Sequence, residues 1–128
     1  MSDLWLAERP RINAELSELG LHPGLALALR FLEPGEARPM SALAGQLQCD
    51  ASTVTGIADR LEAAGIVERR PAEHDRRVKT LVLTPHGEQV RRRVGEIWSS
   101  PPPGVAALPT EDLDALKRIV DRALGRAA

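Results

Sequence analysis

The sequence predicts a mainly α-helical fold with a small β-wing: a winged helix-turn-helix set between N- and C-terminal helices. Three observations predict it. Apolar residues make up 43% of the 128 and the aromatics reduce to Trp5, Phe31 and Trp98. The core is therefore aliphatic and alanine-rich, which suits helix packing on helix. Two short helical patterns, 40–48 and 50–65, meet across a tight turn at Cys49-Asp50. Directly after them the apolar period changes from helical to strand-like around a charged heptapeptide, PAEHDRR at 71–77.

Taken in order, Leu4, Ile12, Leu16 and Leu19 recur at near-helical spacing over 3–19. Pro10 interrupts them, which predicts either a kinked helix or a helix whose first turn holds the proline. Gly20 closes it. Residues 23–33 form a second helix, opened by Pro23 and ended by Pro34-Gly35. Its apolar residues nearly encircle it, so it is expected to be central and buried. MSALAGQLQ (40–48) is a short helix after Pro39, with Leu43, Ala44 and Leu47 on one face. In the following helix Asp50 or Ser52 is the N-cap and Gly65 the C-cap. IVERR (66–70) and VKTLVLT (78–84) are the two strands of a hairpin with a long charged tip. Thr84-Pro85 opens a helix with a hydroxyl cap and a proline in its first turn, and Val90, Val94, Ile97 and Trp98 give it an apolar stripe. SSPPPG breaks that helix, PPPGVAALP acts as a linker, and a last helix starts at Thr110 with Leu113, Leu116, Val120 and Leu124 as its stripe.

At 100° per residue the 50–65 helix has two unlike sides. Val54, Ile57, Ala58 and Leu61 fall together and face the domain. Ser52, Thr55, Gly56, Asp59 and Ala63 lie opposite, with Thr53 and Arg60 on one shoulder. The outer side is small, hydroxylic and nearly flat, as a helix entering a major groove about 12 Å wide requires. Hydroxyls at 52, 53 and 55 suit phosphates or base edges; alternatively they cap the helix and face water. The net charge of −1 conceals a division: from Arg60 to Arg93 there are nine basic residues against five acidic, within acidic flanks. Such a basic middle marks one anion-facing surface or a solvated charged face. At the hairpin tip Asp75 precedes Arg76 and Arg77, and a tip arginine held by a carboxylate suits insertion into a narrow minor groove. The bland alternative is a surface ion pair worth little.

Other chemistry is thin. His22, His74, His86 and Cys49 are scattered without metal-ligand spacing, no nucleophile elbow or Gly-rich phosphate loop occurs, and no enzyme activity, metal or cofactor is expected. Cys49, the only cysteine, is either a small apolar side chain or a redox-active thiol near a helix N-terminus. The N-terminal stretch lacks the apolar core of a secretory signal and LALAL (25–29) is too short to span a bilayer, so a cytoplasmic setting is expected.

The stretch 43–87 resembles the DNA-binding core of the MarR family of bacterial transcriptional regulators. The pieces that carry the resemblance are LA..L (43–47), STVT (52–55), DRLEAAGIVER (59–69), DRR (75–77) and LTPHG (83–87), in family order and spacing. The resemblance implies a single domain over 1–128, with 1–35 and 86–128 as dimerisation helices and 36–85 as the winged-helix lobe. It implies a homodimer whose two recognition helices enter successive major grooves of a pseudo-palindromic operator, half-sites about 34–36 Å apart. It places Ser52, Thr53 and Thr55 on DNA from the recognition helix, and Asp75 with Arg76 or Arg77 at the wing. Gly56, where family members often carry a basic or long polar residue, adds no contact, and Asp59 repels phosphate. Electrostatic affinity is then expected from the wing and from Arg60, Arg69 and Arg70. A ligand pocket between the DNA-binding lobe and the dimer base is implied, lined by His22, Phe31 and Trp98, for a small phenolic or similar effector that releases a repressor. A different class of function, a winged-helix protein-interaction module with weak or lost operator binding, draws on Gly56 and the net charge.

Overall fold

A computed structural model describes residues 2–126, without the side chains of Ser2 and Trp5. The element order is α1 (Ser2–Glu18), α2 (Pro23–Leu29), β1 (Arg38–Pro39), α3 (Met40–Leu47), α4 (Ala51–Ala63), β2 (Val67–Pro71), β3 (Lys79–Leu83), α5 (Pro85–Ser99), α6 (Pro103–Ala106) and α7 (Thr110–Ala123). The architecture is mainly α-helical with a small sheet as the wing. The chain divides into two compact units, Met1–Trp98 and Ser99–Ala128.

The first unit holds the core. Leu16 of α1, Leu29 of α2, Leu43 of α3, Val54 and Leu61 of α4, Leu81 of β3 and Ile97 of α5 are all essentially inaccessible to solvent. Burying an aliphatic side chain of this size contributes about 1.5–3 kcal/mol, so this one cluster fixes how the helix pair sits beneath the sheet. Pro10 lies inside a continuous α1, so the helix does not begin there. α2 ends at Leu29 and not near residue 33: Phe31 and Leu32 N–H groups donate to carbonyls three residues back, a tightened last turn. Leu27 remains exposed on α2, so burial of that helix is not all-round.

The wing is a three-stranded antiparallel sheet in the order β1-β3-β2. Val67 pairs with Leu83 and Arg69 with Leu81. β1 was not expected: only Arg38 and Pro39 pair, with Leu81 and Thr80, and two residues are too few for alternation to register. As an edge strand it tolerates the proline. Gly65, at φ +71°, makes the turn from α4 into β2. Thr84 then joins β3 to α5: its hydroxyl oxygen accepts from the Gly87 N–H at 2.9 Å and its own N–H donates to the Ile66 carbonyl at 3.0 Å.

The second unit holds α6 and α7. α6 is a helical turn within the expected linker, started by its proline. α7 is strongly amphipathic yet buries none of its residues, and Leu116, Ile119, Val120 and Leu124 are exposed. Among the described residues, no helix is long and apolar enough to cross a membrane.

Candidate nucleic-acid interface

α3 ends on Gln48 in the left-handed region (φ +54°), which turns the chain sharply into Cys49 and Asp50. The Cys49 side chain is partly buried against the core. Asp50, not Ser52, caps α4: its Oδ1 accepts from the Thr53 N–H at 2.8 Å and from the Ser52 hydroxyl at 2.8 Å. The Thr53 N–H and hydroxyl, followed by the Ser52 hydroxyl, hold the Asp50 carboxyl below its ordinary value.

That shift makes a prediction. A carboxyl with a lowered folded-state pKa binds fewer protons folded than unfolded, so its contribution is complete above its ordinary pKa and lost as pH falls through the lowered one. Asp50→Asn keeps a cap oxygen but cannot titrate. It is expected to weaken the pH dependence of stability below about pH 4. The measurement is acid unfolding followed by circular dichroism, and an acid limb identical to that of the parent chain would contradict it.

Val54, Ala58 and Leu61 are buried and Ile57 is half-buried, so α4 packs on the side its periodicity indicates. Ser52, Thr53, Thr55, Asp59 and Arg60 are exposed on the other side. Around Gly56 the surface is open: a Cβ added there meets nothing within 4 Å. The Thr55 hydroxyl donates to the Ala51 carbonyl at 2.9 Å. With the Ser52 proton directed to Asp50, the hydroxyls of Ser52 and Thr55 are both committed as donors within the helix end. A carboxylate and a carbonyl can only accept, so what these hydroxyls still offer is lone pairs. Lone pairs meet base amino groups in a major groove, whereas phosphates require donors.

The cations divide into three kinds. Arg69 of β2 turns toward α4, where it pairs with Asp59, donates to the Thr55 carbonyl at 3.3 Å and lies 3.7 Å from Glu62. Arg70 pairs with Glu68 at 2.7 Å on its own strand. Arg60 is exposed and, among the described residues, makes no ion pair. At the tip Asp75 Oδ1 accepts from both the backbone N–H (3.0 Å) and the Nε (3.3 Å) of Arg77, whose side chain is 93% exposed. Arg76 beside it is exposed and has no ion pair among the described residues. The carboxylate thus orients Arg77 and leaves Arg76 unengaged. The sequence treats Asp59 as a phosphate-repelling charge; it missed its partner Arg69, because a contact ten residues distant in the chain leaves no periodic signal.

A cleft of about 880 Å³ opens elsewhere in the first unit, lined by His22, Trp98, Leu16, Leu27, Arg9 and Asn13 among others. Phe31, grouped with His22 and Trp98 by the resemblance, is not in this lining; it packs partly buried against the core. The His22 Nδ1 accepts from the Gly24 N–H at 3.1 Å and so caps α2. The Arg30 guanidinium lies 5.5 Å from the centre of the Trp98 ring, a cation–π contact. Among the described residues, no group of three or more His, Cys, Asp or Glu side chains is placed to hold a metal ion.

Known proteins resemble this chain in sequence and fold. A family model described as MarR family matches residues 25–79. The chain is 33% identical over 124 residues to the transcriptional repressor MprA of Escherichia coli (strain K12), covering 89% of this chain and 66% of that protein. The fold matches YusO of Bacillus subtilis with a TM-score of 0.80 and 25% identity, over 99% of this chain and 90% of that one. It also matches a variant of S. aureus MepR bound to an oligodeoxyribonucleotide, TM-score 0.74 at 19% identity, over 97% and 92% of the two chains. At that identity the likeness is one of fold.

Proposed function

The chain belongs to the MarR family, and we propose on that footing that it is a DNA-binding transcriptional regulator, a homodimeric repressor that reads a pseudo-palindromic operator. The observation that carries this proposal is the pairing of α4, which has an open, hydroxyl-bearing outer side, with a wing tip bearing two exposed arginines. Repression is suggested by the relative MprA, a transcriptional repressor, and DNA as the partner by the oligodeoxyribonucleotide bound to the MepR variant. A second copy of the chain would cover Leu4 and Leu6 of α1 and the apolar stripe of α7, whose exposure in a single chain is costly.

In this account Ser52, Thr53 and Thr55 meet base edges, with Gly56 allowing close approach of the helix backbone. Arg60 reaches phosphates, and Arg76 with the Asp75-held Arg77 enters the flanking minor groove. The His22 and Trp98 cleft is where a small organic effector would act.

A second reading is a winged-helix module that binds protein and has lost its operator. Gly56 offers no contact, and Asp59 with Glu62 outweighs Arg69, so the α4 surface lacks positive charge there. Binding to a random-sequence duplex pool at two salt concentrations separates the two. Enrichment of a palindrome is expected for the regulator; weak binding erased by salt, with no enriched sequence, would favour the module.

A further inference from the structure

Three acceptors on α4 converge on one guanidinium from the wing. Thr55, Asp59 and Glu62 stand at i, i+4 and i+7, one stripe along the helix. Arg69 Nη2 pairs with Asp59 Oδ1 and donates to the Thr55 carbonyl at 3.3 Å, while Nη1 lies 3.7 Å from Glu62 Oε1. The Arg69 backbone N–H donates to the other Glu62 oxygen at 3.2 Å. Its Nε is buried without a hydrogen-bond partner, so the guanidinium is turned into the α4–β2 junction. Two carboxylates against one guanidinium leave the cluster net negative, which offers no attraction to a phosphate.

We infer that Arg69 is a positioning residue: it locks the recognition helix to the strand that carries the wing tip, and does not bind DNA itself. The inference rests on the operator-binding function proposed above. β2 is an edge strand of the sheet, and it leads directly into the loop bearing Arg76 and Arg77. The only covalent link between α4 and β2 is the short turn at Gly65. Arg69 adds a second link that reaches back to the first turns of α4. The angle between helix and wing then becomes a property of the free protein, set before DNA arrives. A planar fork with fixed donor directions suits this task and a lysine does not.

The test uses the full chain and reads affinity for the enriched operator and for an unrelated duplex across a salt series. Arg69→Ala is expected to lower operator affinity by about tenfold, leave affinity for the unrelated duplex near the parent value and leave the salt slope unchanged. Asp59→Asn is expected to lower the operator-to-unrelated ratio, and the double variant to lose no more than Arg69→Ala alone. If Arg69 were a phosphate ligand, Arg69→Ala would weaken both duplexes alike and reduce the salt slope by about two, one for each subunit of the dimer, and Asp59→Asn would strengthen both. That pattern overturns the inference. Amide hydrogen exchange on the DNA-free protein supplies a second readout: Arg69→Ala should speed exchange in α4 and β2 relative to α5. Unchanged exchange there would also overturn it. Because exchange is read without DNA, it decides the lock even if the parent chain selects no sequence, an outcome that counts against the operator-binding function instead.

Discussion

Replacing Gly87 with alanine is expected to destabilise the chain by about 3 kcal/mol or more. A Cβ built at this position falls 1.9 Å from the carbonyl oxygen of Ile66 and 2.9 Å from its carbon. Both are backbone atoms, so no rotamer change relieves the clash. The same carbonyl accepts from the Thr84 N–H, and the Gly87 N–H donates to the Thr84 hydroxyl. Moving α5 outward to admit a methyl group therefore loosens the junction that ties α4, the sheet and α5 together. Urea unfolding gives the measurement: a lower midpoint at an unchanged slope is expected, and a midpoint equal to the parent's would refute the close approach. Gly56→Ala is the matched control. Its Cβ meets nothing within 4 Å on an open helix surface, so it should stabilise by about 0.5–1 kcal/mol.

The second large effect is on DNA binding. Arg76→Ala with Arg77→Ala, which removes two arginines from each wing of the dimer, is expected to weaken operator binding by about 10- to 100-fold and to reduce the salt slope by about four. Arg69 is committed to Asp59 and Arg70 to Glu68, so the wing tip carries an outsized share of the cations free to meet phosphate. The two arginines should differ when replaced singly. Arg77 is oriented by Asp75, so Asp75→Ala should reproduce part of the Arg77→Ala loss while leaving Arg76→Ala unaffected. Fluorescence anisotropy across a salt series reads all four variants. An unchanged slope in the double variant would show that the tip does not touch DNA.

Much of the fold is legible in the sequence because its elements announce themselves locally. The stripe Val54, Ala58 and Leu61, the Gly65 turn and the Thr84-Pro85 start each depend on residues within a turn or two, and the structure has each of them, as it has a cap at Asp50, one of the two candidates the sequence offers. What the sequence withholds is what depends on distant partners. β1 consists of two residues that extend only because Leu81 and Thr80 are there to pair with. α2 stops at Leu29 although its apolar pattern runs on, since Phe31 and Leu32 are drawn toward the core in a tighter turn. At the candidate interface the residue types were readable, but their allegiances were not. Asp59 appears in the sequence as a liability toward phosphate, yet in the fold it neutralises Arg69. The hydroxyls at 52 and 55 look like donors, yet their protons are already given to Asp50 and the Ala51 carbonyl.

The account stands or falls on two α4 helices of a dimer reading DNA together. The most direct measurement compares affinity for the enriched palindrome with affinity for the same half-sites separated by five additional base pairs. Half a helical turn places the second half-site on the opposite side of the duplex, where a rigid two-fold dimer cannot reach it. A loss of about 100-fold or more is predicted, down to the level of an unrelated duplex. Affinity that is indifferent to the insertion would contradict the account, because each α4 would then bind on its own or not read sequence at all.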